Sequence, residues 1–181
     1  MISVKKPRNI FTRLFYKLIN RLFHAVEWLR WKSQYMSLAN DFRHLGNNVV
    51  LDYGIKFGNP KNISIGDNVF IGADVMINAG KGGSIELHDG SAVGAGTTII
   101  TWNLDLMNNR TLTRSLNKNI FKDVVIGEGV GLGYNCTINP GVTLGRGCEV
   151  AAGSVLVSDV KDFEVVSGAS AKVIGIRCSN L

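Results

Sequence analysis

The first candidates for acid–base catalysis in this sequence are its few histidines, because imidazole is the side chain that exchanges a proton near neutral pH. The chain has three histidines in 181 residues, and His88 is the one within the repetitive central region, with Asp89 directly after it. A histidine oriented by a carboxylate such as Asp89 or Asp105 is a candidate general base. The alternative is a histidine that faces solvent on a turn. His24 and His44 fall in the N-terminal segment, and we predict structural roles for both.

A long interruption of the central repeat contains the other candidate residues. It occupies residues 102–123 and adds 21 residues to the normal spacing. An excursion of this length inside a regular repeat is usually functional or disordered. We therefore predict an active-site loop here, with Trp102, Asn103 and Asp105 as its candidate site residues.

These candidates must be positioned by a six-residue repeat in the centre of the chain. A large apolar residue recurs there in fifteen hexads that form five groups of three: Leu45, Leu51, Phe57, Ile65, Ile71, Ile77, Leu87, Val93, Ile99, Ile126, Leu132, Ile138, Leu144, Val150 and Leu156. Each hexad suits a short strand and a turn, with the large residue pointing inward and coils stacking at about 4.8 Å. The period therefore predicts a mainly β, three-sided coil of five turns.

The spacing departs from six residues at three places, and all three lie at the same point of the three-hexad group. Two, four and 21 extra residues follow Phe57, Ile77 and Ile99, each time between the third hexad of one group and the first of the next. On a three-sided coil these insertions leave from one corner. A wrong register would rarely produce this coincidence.

The three cysteines indicate a reducing compartment and favour packing over chemistry. Cys136 and Cys148 occupy the small inward position of their hexads, so we predict that both lie in the core. Cys178 is in the C-terminal tail. No spacing of histidine and cysteine resembles a zinc site, and no metal is predicted.

Four blocks of the repeat resemble a known family: IGDNVF (65–70), IGADVM (71–76), INPGVTLG (138–145) and AAGSVLVSDV (151–160). They are similar to the left-handed parallel β-helix of the hexapeptide-repeat acyltransferases, especially the maltose, galactoside and polysaccharide O-acetyltransferase branch. The resemblance covers residues 45–175. It implies a homotrimer, with acetyl-CoA or another acyl-CoA in the grooves between neighbouring prisms, and a corner loop that carries a catalytic histidine.

The chain departs from the family where the resemblance implies the catalytic base. Family members read Thr-His-x-Leu-Asp or Thr-His-x-His-Asp, and their histidine deprotonates the acceptor hydroxyl. This chain has Trp102 at the position of the base, and an indole has only a donor N–H. His88 follows the insertion at residues 80–84, which leaves the same corner one coil earlier. We therefore predict that His88 lies within one or two strand spacings of Trp102 and replaces the missing base.

The resemblance also implies where the co-substrate would bind. In relatives, the turn at residues 152–154 and the closing segment line the CoA groove, and Lys172 matches a basic residue that helps to hold the phosphates. Two other basic positions of the family are Ser158 and Gly175 here, so Arg177 is expected to compensate. The predicted CoA contacts are Tyr134, Ala152, Gly153, Ser154, Lys172 and Arg177.

Positive charge is concentrated at the N-terminus. Residues 1–32 contain eight basic residues and one acidic residue, a net of +7, which leaves −1 for the rest of a chain whose total is +6. From Ile10 to about Lys32, apolar residues recur at the spacing of an amphipathic helix, with basic residues between them. Such a helix could lie in a membrane interface, cover the open end of the β-helix, or pack against its copy in the trimer. Its charges argue against a membrane span.

Together these features predict three segments and a leading function. The segments are a basic helical region (1–44), a left-handed β-helix (45–160) and a closing segment (161–181). The leading function is acyl-CoA-dependent O-acyltransfer, in particular O-acetyltransfer, to a sugar hydroxyl in surface polysaccharide or glycolipid synthesis. The alternative is a catalytically silent trimeric scaffold, because Trp102 replaces the base. We expect a cytoplasmic protein without a nucleic-acid partner, with peripheral contact at the inner membrane face through residues 10–32 as an option.

Overall fold

The N-terminal unit of the chain, residues 1–38, contains one long helix. In the computed structural model, which describes residues 10–105 and 119–177, helix α1 runs from Ile10 to Leu38. It does not end near Lys32 as predicted, because residues 33–38 include neither glycine nor proline to stop it. A 3-10 turn at Ala39–Asp41 follows. No helix within the two described ranges is both long and apolar enough to cross a membrane.

The second unit, residues 39–181, is built from three parallel sheets that form the faces of a coil. The first face contains β1 (His44–Leu45), β4 (Ile63–Ile65), β7 (Ile85–Leu87), β12 (Val124–Ile126) and β15 (Thr143–Leu144). The second contains β2 (Val50–Leu51), β5 (Phe70–Ile71), β8 (Ala92–Val93), β13 (Gly131–Leu132) and β16 (Glu149–Val150). The third contains β3 (Lys56–Gly58), β6 (Met76–Asn78), β9 (Thr98–Ile100), β14 (Thr137–Ile138) and β17 (Val155–Leu156).

Strand pairing aligns the repeat residues of successive coils. On the first face, Leu45 pairs with Ile65, Ile65 with Leu87, Leu87 with Ile126, and Ile126 with Leu144. The other two faces have the same one-to-one register. The predicted mainly β parallel helix of five coils, with its insertions at one corner, is therefore confirmed.

The stacked repeat residues form the core. The twelve repeat residues from Ile65 onward are each at most 5% exposed. In the first coil, Leu45, Leu51 and Phe57 are only half-buried, because this coil is the end of the stack. The ring of Phe42 lies edge-on to Phe57, with 4.9 Å between the ring centroids, and covers part of that end.

Three hydroxyl side chains occupy the second inward position of their hexads and are fully buried. Thr97 donates to the carbonyl of Gly133 at 3.1 Å, and Ser154 donates to the carbonyl of Ala151 at 2.6 Å. The Ser154 hydroxyl also accepts a bond from the N–H of Gly168 at 3.2 Å. By contrast, the hydroxyl of Ser91 has no partner among the described residues.

Cys136 and Cys148 also occupy the second inward position of their hexads, and both are buried, as predicted. Cys178 lies outside the described residues. Burial raises the pKa of the Cys136 thiol. Burial, and then the carboxylates of Glu149 and Asp162, raise the pKa of the Cys148 thiol to about 12. Both residues therefore serve as small packing groups that stay protonated at neutral pH.

We expect the free energy of unfolding to fall as the pH rises above 9. The Cys148 thiol ionises near 9.0 in the unfolded chain and at about 12 in the folded one. Because the folded pKa is raised, this stabilisation is complete below pH 9 and is lost between the two values, at up to about 1.4 kcal/mol per pH unit. Urea unfolding across this range should have a shallower pH dependence in Cys148→Ala. Equal pH dependence in the two proteins would contradict the assignment.

The buried serines provide a matched pair for testing the core. Ser154→Ala removes two hydrogen bonds and should lower the free energy of unfolding by about 1–3 kcal/mol. Ser91→Ala removes an unpartnered hydroxyl from an equally buried position, so we expect a cost below about 0.5 kcal/mol or a slight stabilisation. Urea unfolding of both variants measures the difference. Equal costs would mean that the hydroxyl bonds of Ser154 contribute nothing.

Candidate active site

The long loop leaves the corner between the third and first faces. Its two ends pair as an antiparallel hairpin of β10 (Trp102–Leu104) and β11 (Asn119–Phe121), in which Trp102 is opposite Phe121. The predicted site residues Trp102, Asn103 and Asp105 therefore stand at the beginning of the loop. Residues 106–118, the middle of the predicted loop, lie outside the described residues.

Glycines of the preceding coil support the base of this hairpin. A Cβ on Gly80 would stand 2.7 Å from the ring of Phe121 and 3.0 Å from Cδ1 of Trp102. A Cβ on Gly82 would stand 3.1 Å from Cγ of Phe121. The insertion at residues 80–84 therefore packs directly against the rings of Trp102 and Phe121. The repeat period alone did not indicate this role, although the cluster of glycines at the shared corner was a usable signal.

Hydrogen bonds attach both ends of the loop to the insertion at residues 80–84. The hydroxyl of the buried Thr101 accepts a bond from the N–H of Gly80 at 2.6 Å. The carbonyl of Thr101 accepts one from the N–H of Lys122 at 2.9 Å. After the hairpin, the carboxylate of Asp123 accepts bonds from the N–H and the hydroxyl of Ser84 at 2.7 and 2.9 Å. The start and the return of the loop are therefore held in fixed positions.

His88 lies at the next corner, between the first and second faces. Its N–H donates to the carbonyl of Ile126 at 2.9 Å, and its half-exposed imidazole has Nε2 3.6 Å from Oε2 of Glu86. The carboxylate of Asp89 accepts a bond from the N–H of Asp67 at 2.8 Å. Glu86 is therefore the carboxylate beside the imidazole. Within residues 10–105 and 119–177, no group of three or more metal-ligating side chains is arranged to hold an ion.

Within one chain, Trp102 and His88 lie at different corners, one at each end of the first face. Trp102 packs against the corner at residues 80–84, whereas β7 carries the chain away from that corner to His88. The four residues from Ser84 to His88 span about 13 Å of extended chain, compared with roughly 5–10 Å for one or two strand spacings. The number of coils between two residues therefore does not give their separation across the width of a face.

Tyr134 and the turn at residues 152–154 lie together at the corner between the second and third faces. The carbonyl of Tyr134 accepts a bond from the N–H of Gly153 at 2.8 Å, and the Tyr134 side chain is exposed. Gly153 has a φ of +73°, and a Cβ built on it would have nothing within 4 Å. The turn therefore presents an open surface, while the Ser154 side chain beneath it is buried.

The closing segment brings one of its two predicted basic residues to this turn. It forms the antiparallel strands β18 (Glu164–Ser167) and β19 (Lys172–Ile176). The N–H of Ala171 donates to the carbonyl of Val155 at 2.9 Å, which places the exposed Lys172 beside the turn. Arg177 follows the far end of β19, where its Nη1 donates to Oε1 of Glu149 at 2.8 Å. Its guanidinium is therefore engaged with a carboxylate away from the turn.

Two stretches of the chain match models of hexapeptide-repeat proteins. Residues 123–158 match the model described as bacterial transferase hexapeptide (six repeats), and residues 62–100 match the one described as hexapeptide repeat of succinyl-transferase. The first stretch corresponds to the fourth and fifth coils, and the second to the second and third coils.

Two enzymes are similar in sequence. The chain is 33% identical over 117 residues to a probable macrolide acetyltransferase of Lysinibacillus sphaericus, with 64% of each chain covered. It is 24% identical over 162 residues to galactoside O-acetyltransferase of Escherichia coli strain K12, which covers 87% of this chain and 66% of that enzyme. The chain thus spans slightly less than two thirds of the length of either relative.

A solved structure is similar in both sequence and fold. It is a hexapeptide-repeat-containing acetyltransferase of Vibrio cholerae O1 biovar eltor, crystallised in complex with acetyl coenzyme A. The TM-score is 0.72 at 30% sequence identity, over 82% of this chain and 78% of that one.

Proposed function

Because the chain belongs to the hexapeptide-repeat acyltransferases, we propose that it transfers an acetyl or similar acyl group from acyl-CoA to a sugar hydroxyl. In this proposal the acceptor is part of a surface polysaccharide or glycolipid made on the cytoplasmic side of the membrane. The main support is the 30% identity, over 82% of the chain, to an acetyltransferase crystallised with acetyl-CoA. The similarity to galactoside O-acetyltransferase supports the choice of a sugar.

The corner formed by Tyr134 and the turn at residues 152–154 is the proposed contact surface for acyl-CoA. The exposed Tyr134 side chain and the open backbone around Gly153 let a ligand approach closely. Lys172 provides a cation beside this surface for a phosphate group. Arg177 contributes less in this proposal than expected from the sequence, because its guanidinium is 2.8 Å from the carboxylate of Glu149.

The proposed reaction is direct attack within a complex of both substrates. The hydroxyl oxygen of the sugar bonds to the carbonyl carbon of the thioester, and the carbon–sulfur bond breaks. The hydroxyl proton passes to a general base and then to the sulfur, which leaves as the CoA thiol. His88 is the proposed base, with the carboxylate of Glu86 beside its imidazole. The acceptor would then bind at the His88 corner, against the neighbouring prism of a trimer.

A catalytically silent scaffold is the second candidate, and the environment of Trp102 favours it. The Trp102 ring rests on Gly80 and stands opposite Phe121 across the hairpin. The residue at the position of the family base therefore has a packing role. An indole cannot accept a proton near neutral pH.

Replacing His88 tests the proposed base. We expect His88→Ala to lower turnover at least 10²-fold, the lower range for loss of a general base, while the Kd for CoA stays nearly unchanged. Acetyl transfer from acetyl-CoA to a panel of sugars and CoA titration by calorimetry measure the two quantities. His44→Ala changes an exposed histidine of the first coil and serves as the matched control. Full activity in His88→Ala would exclude His88 as the base.

Restoring the family histidine separates an active enzyme from a scaffold. If the chain is a scaffold, neither the native protein nor Trp102→His should transfer acyl groups to any sugar, and CoA should not bind at millimolar concentration. If CoA binds and only Trp102→His is active, the groove is intact and the native protein lacks activity because it lacks the base. Native activity contradicts the scaffold.

We also expect a homotrimer, since large apolar side chains on the flanks of the coils, such as Val50, Phe70 and Val157, are more than 40% exposed. Sedimentation velocity at micromolar concentration should give about three times the chain mass of 19.7 kDa. Monomers throughout that range would contradict both the trimer and any site formed between prisms.

A further inference from the structure

Helix α1 has a wide apolar side. At about 100° per residue, nine large apolar side chains between residues 11 and 29 fall within an arc of roughly 180°. They are Phe11, Leu14, Phe15, Leu18, Ile19, Leu22, Phe23, Val26 and Leu29. Each is between 45% and 80% exposed. This is far more apolar surface than scattered exposed residues provide, and it marks an interaction surface.

The opposite side of α1 is basic. Arg13, Lys17 and Arg21 fall within an arc of roughly 80° on that side, and the half-exposed Trp28 lies between them. The one acidic residue among the first 32 is Glu27, whose carboxylate lies 3.7 Å from the guanidinium of Arg30. The basic row is therefore not neutralised by acidic residues of its own helix.

Charge complementarity points to an anionic partner. Residues 1–32 have a net charge of +7, while the remainder of the chain has −1. A second copy of α1 would bring an equal positive charge to the contact, where helix pairs normally use opposite charges. An apolar arc of roughly 180° is also wider than the seam of a helix pair. A bilayer with anionic lipids satisfies both sides, because its acyl boundary takes apolar residues and its headgroups attract lysine and arginine.

We propose that α1 binds in the plane of an anionic phospholipid surface. The nine apolar side chains enter the acyl boundary, and Arg13, Lys17 and Arg21 lie at the level of the lipid phosphates. This inference depends on α1 alone and not on the proposed acyl transfer, so either can fail without the other.

Vesicle sedimentation of the full-length protein tests the proposal. The protein should sediment with phosphatidylcholine vesicles that contain phosphatidylglycerol, and raising the salt from about 0.1 M to 1 M should release it, because the Debye length falls from about 10 to 3 Å. The variant Arg13→Gln, Lys17→Gln, Arg21→Gln should bind roughly 100-fold more weakly, at about 1 kcal/mol for each basic residue. Glutamine retains helix propensity. The pair Leu18→Gln, Leu22→Gln should bind at least tenfold more weakly.

The matched control removes the same charge from the β-helix. Lys56→Gln, Lys61→Gln, Lys161→Gln changes three exposed lysines and should bind vesicles as the native protein does. Equal loss in both triple variants would overturn the proposal, and so would equal binding to vesicles of pure phosphatidylcholine. Self-association that depends on Leu18 and Leu22, without vesicle binding, would identify a second copy as the occupant and would also overturn it. If a triple variant loses helicity by circular dichroism, the salt titration of the native protein decides, and no release at 1 M contradicts the proposal.

Discussion

The structure depends on one constraint: each large apolar side chain of the repeat must stack on its counterpart in the next coil. Backbone pairing joins Ile65 to Leu87 and Leu87 to Ile126, and all three side chains are almost completely buried. One extra residue within a strand would turn that strand's inward residues toward solvent. Extra residues are therefore tolerated at corners, and the three insertions of this chain all leave from one corner.

The corner between the third and first faces illustrates how this constraint builds a candidate site. Glycines of one insertion make room for Trp102 and Phe121 at the base of the next. The hydroxyl of Thr101 and the carboxylate of Asp123 then bind backbone N–H groups of the lower coil. Two successive insertions thus cooperate, and the loop begins from a rigid base.

The distribution of charge separates the two units of the chain. The β-helix and its closing segment are almost neutral, and their basic residues include two that pair with carboxylates of the same unit, Arg177 with Glu149 and Arg146 with Glu128. The N-terminal helix contains most of the excess positive charge together with a wide exposed apolar surface. The net charge of the whole chain, +6, conceals this division, because it reflects the N-terminal segment and not the nearly neutral β-helix.

The sequence alone determined the number of coils, their register and the corner from which the insertions leave, because stacking imposes a strict period on residue type. It could not predict the end of α1, since residues 33–38 contain no stop signal and packing does not enforce a period there. Only the tertiary structure placed His88 and Trp102 at different corners, because position across a face depends on strand direction and not on the number of coils. It also assigned the hydroxyl of Ser154 and the guanidinium of Arg177 to internal partners, Gly168 and Glu149. A repeat specifies where side chains point, but hydrogen bonds between residues far apart in the chain depend on the folded coordinates.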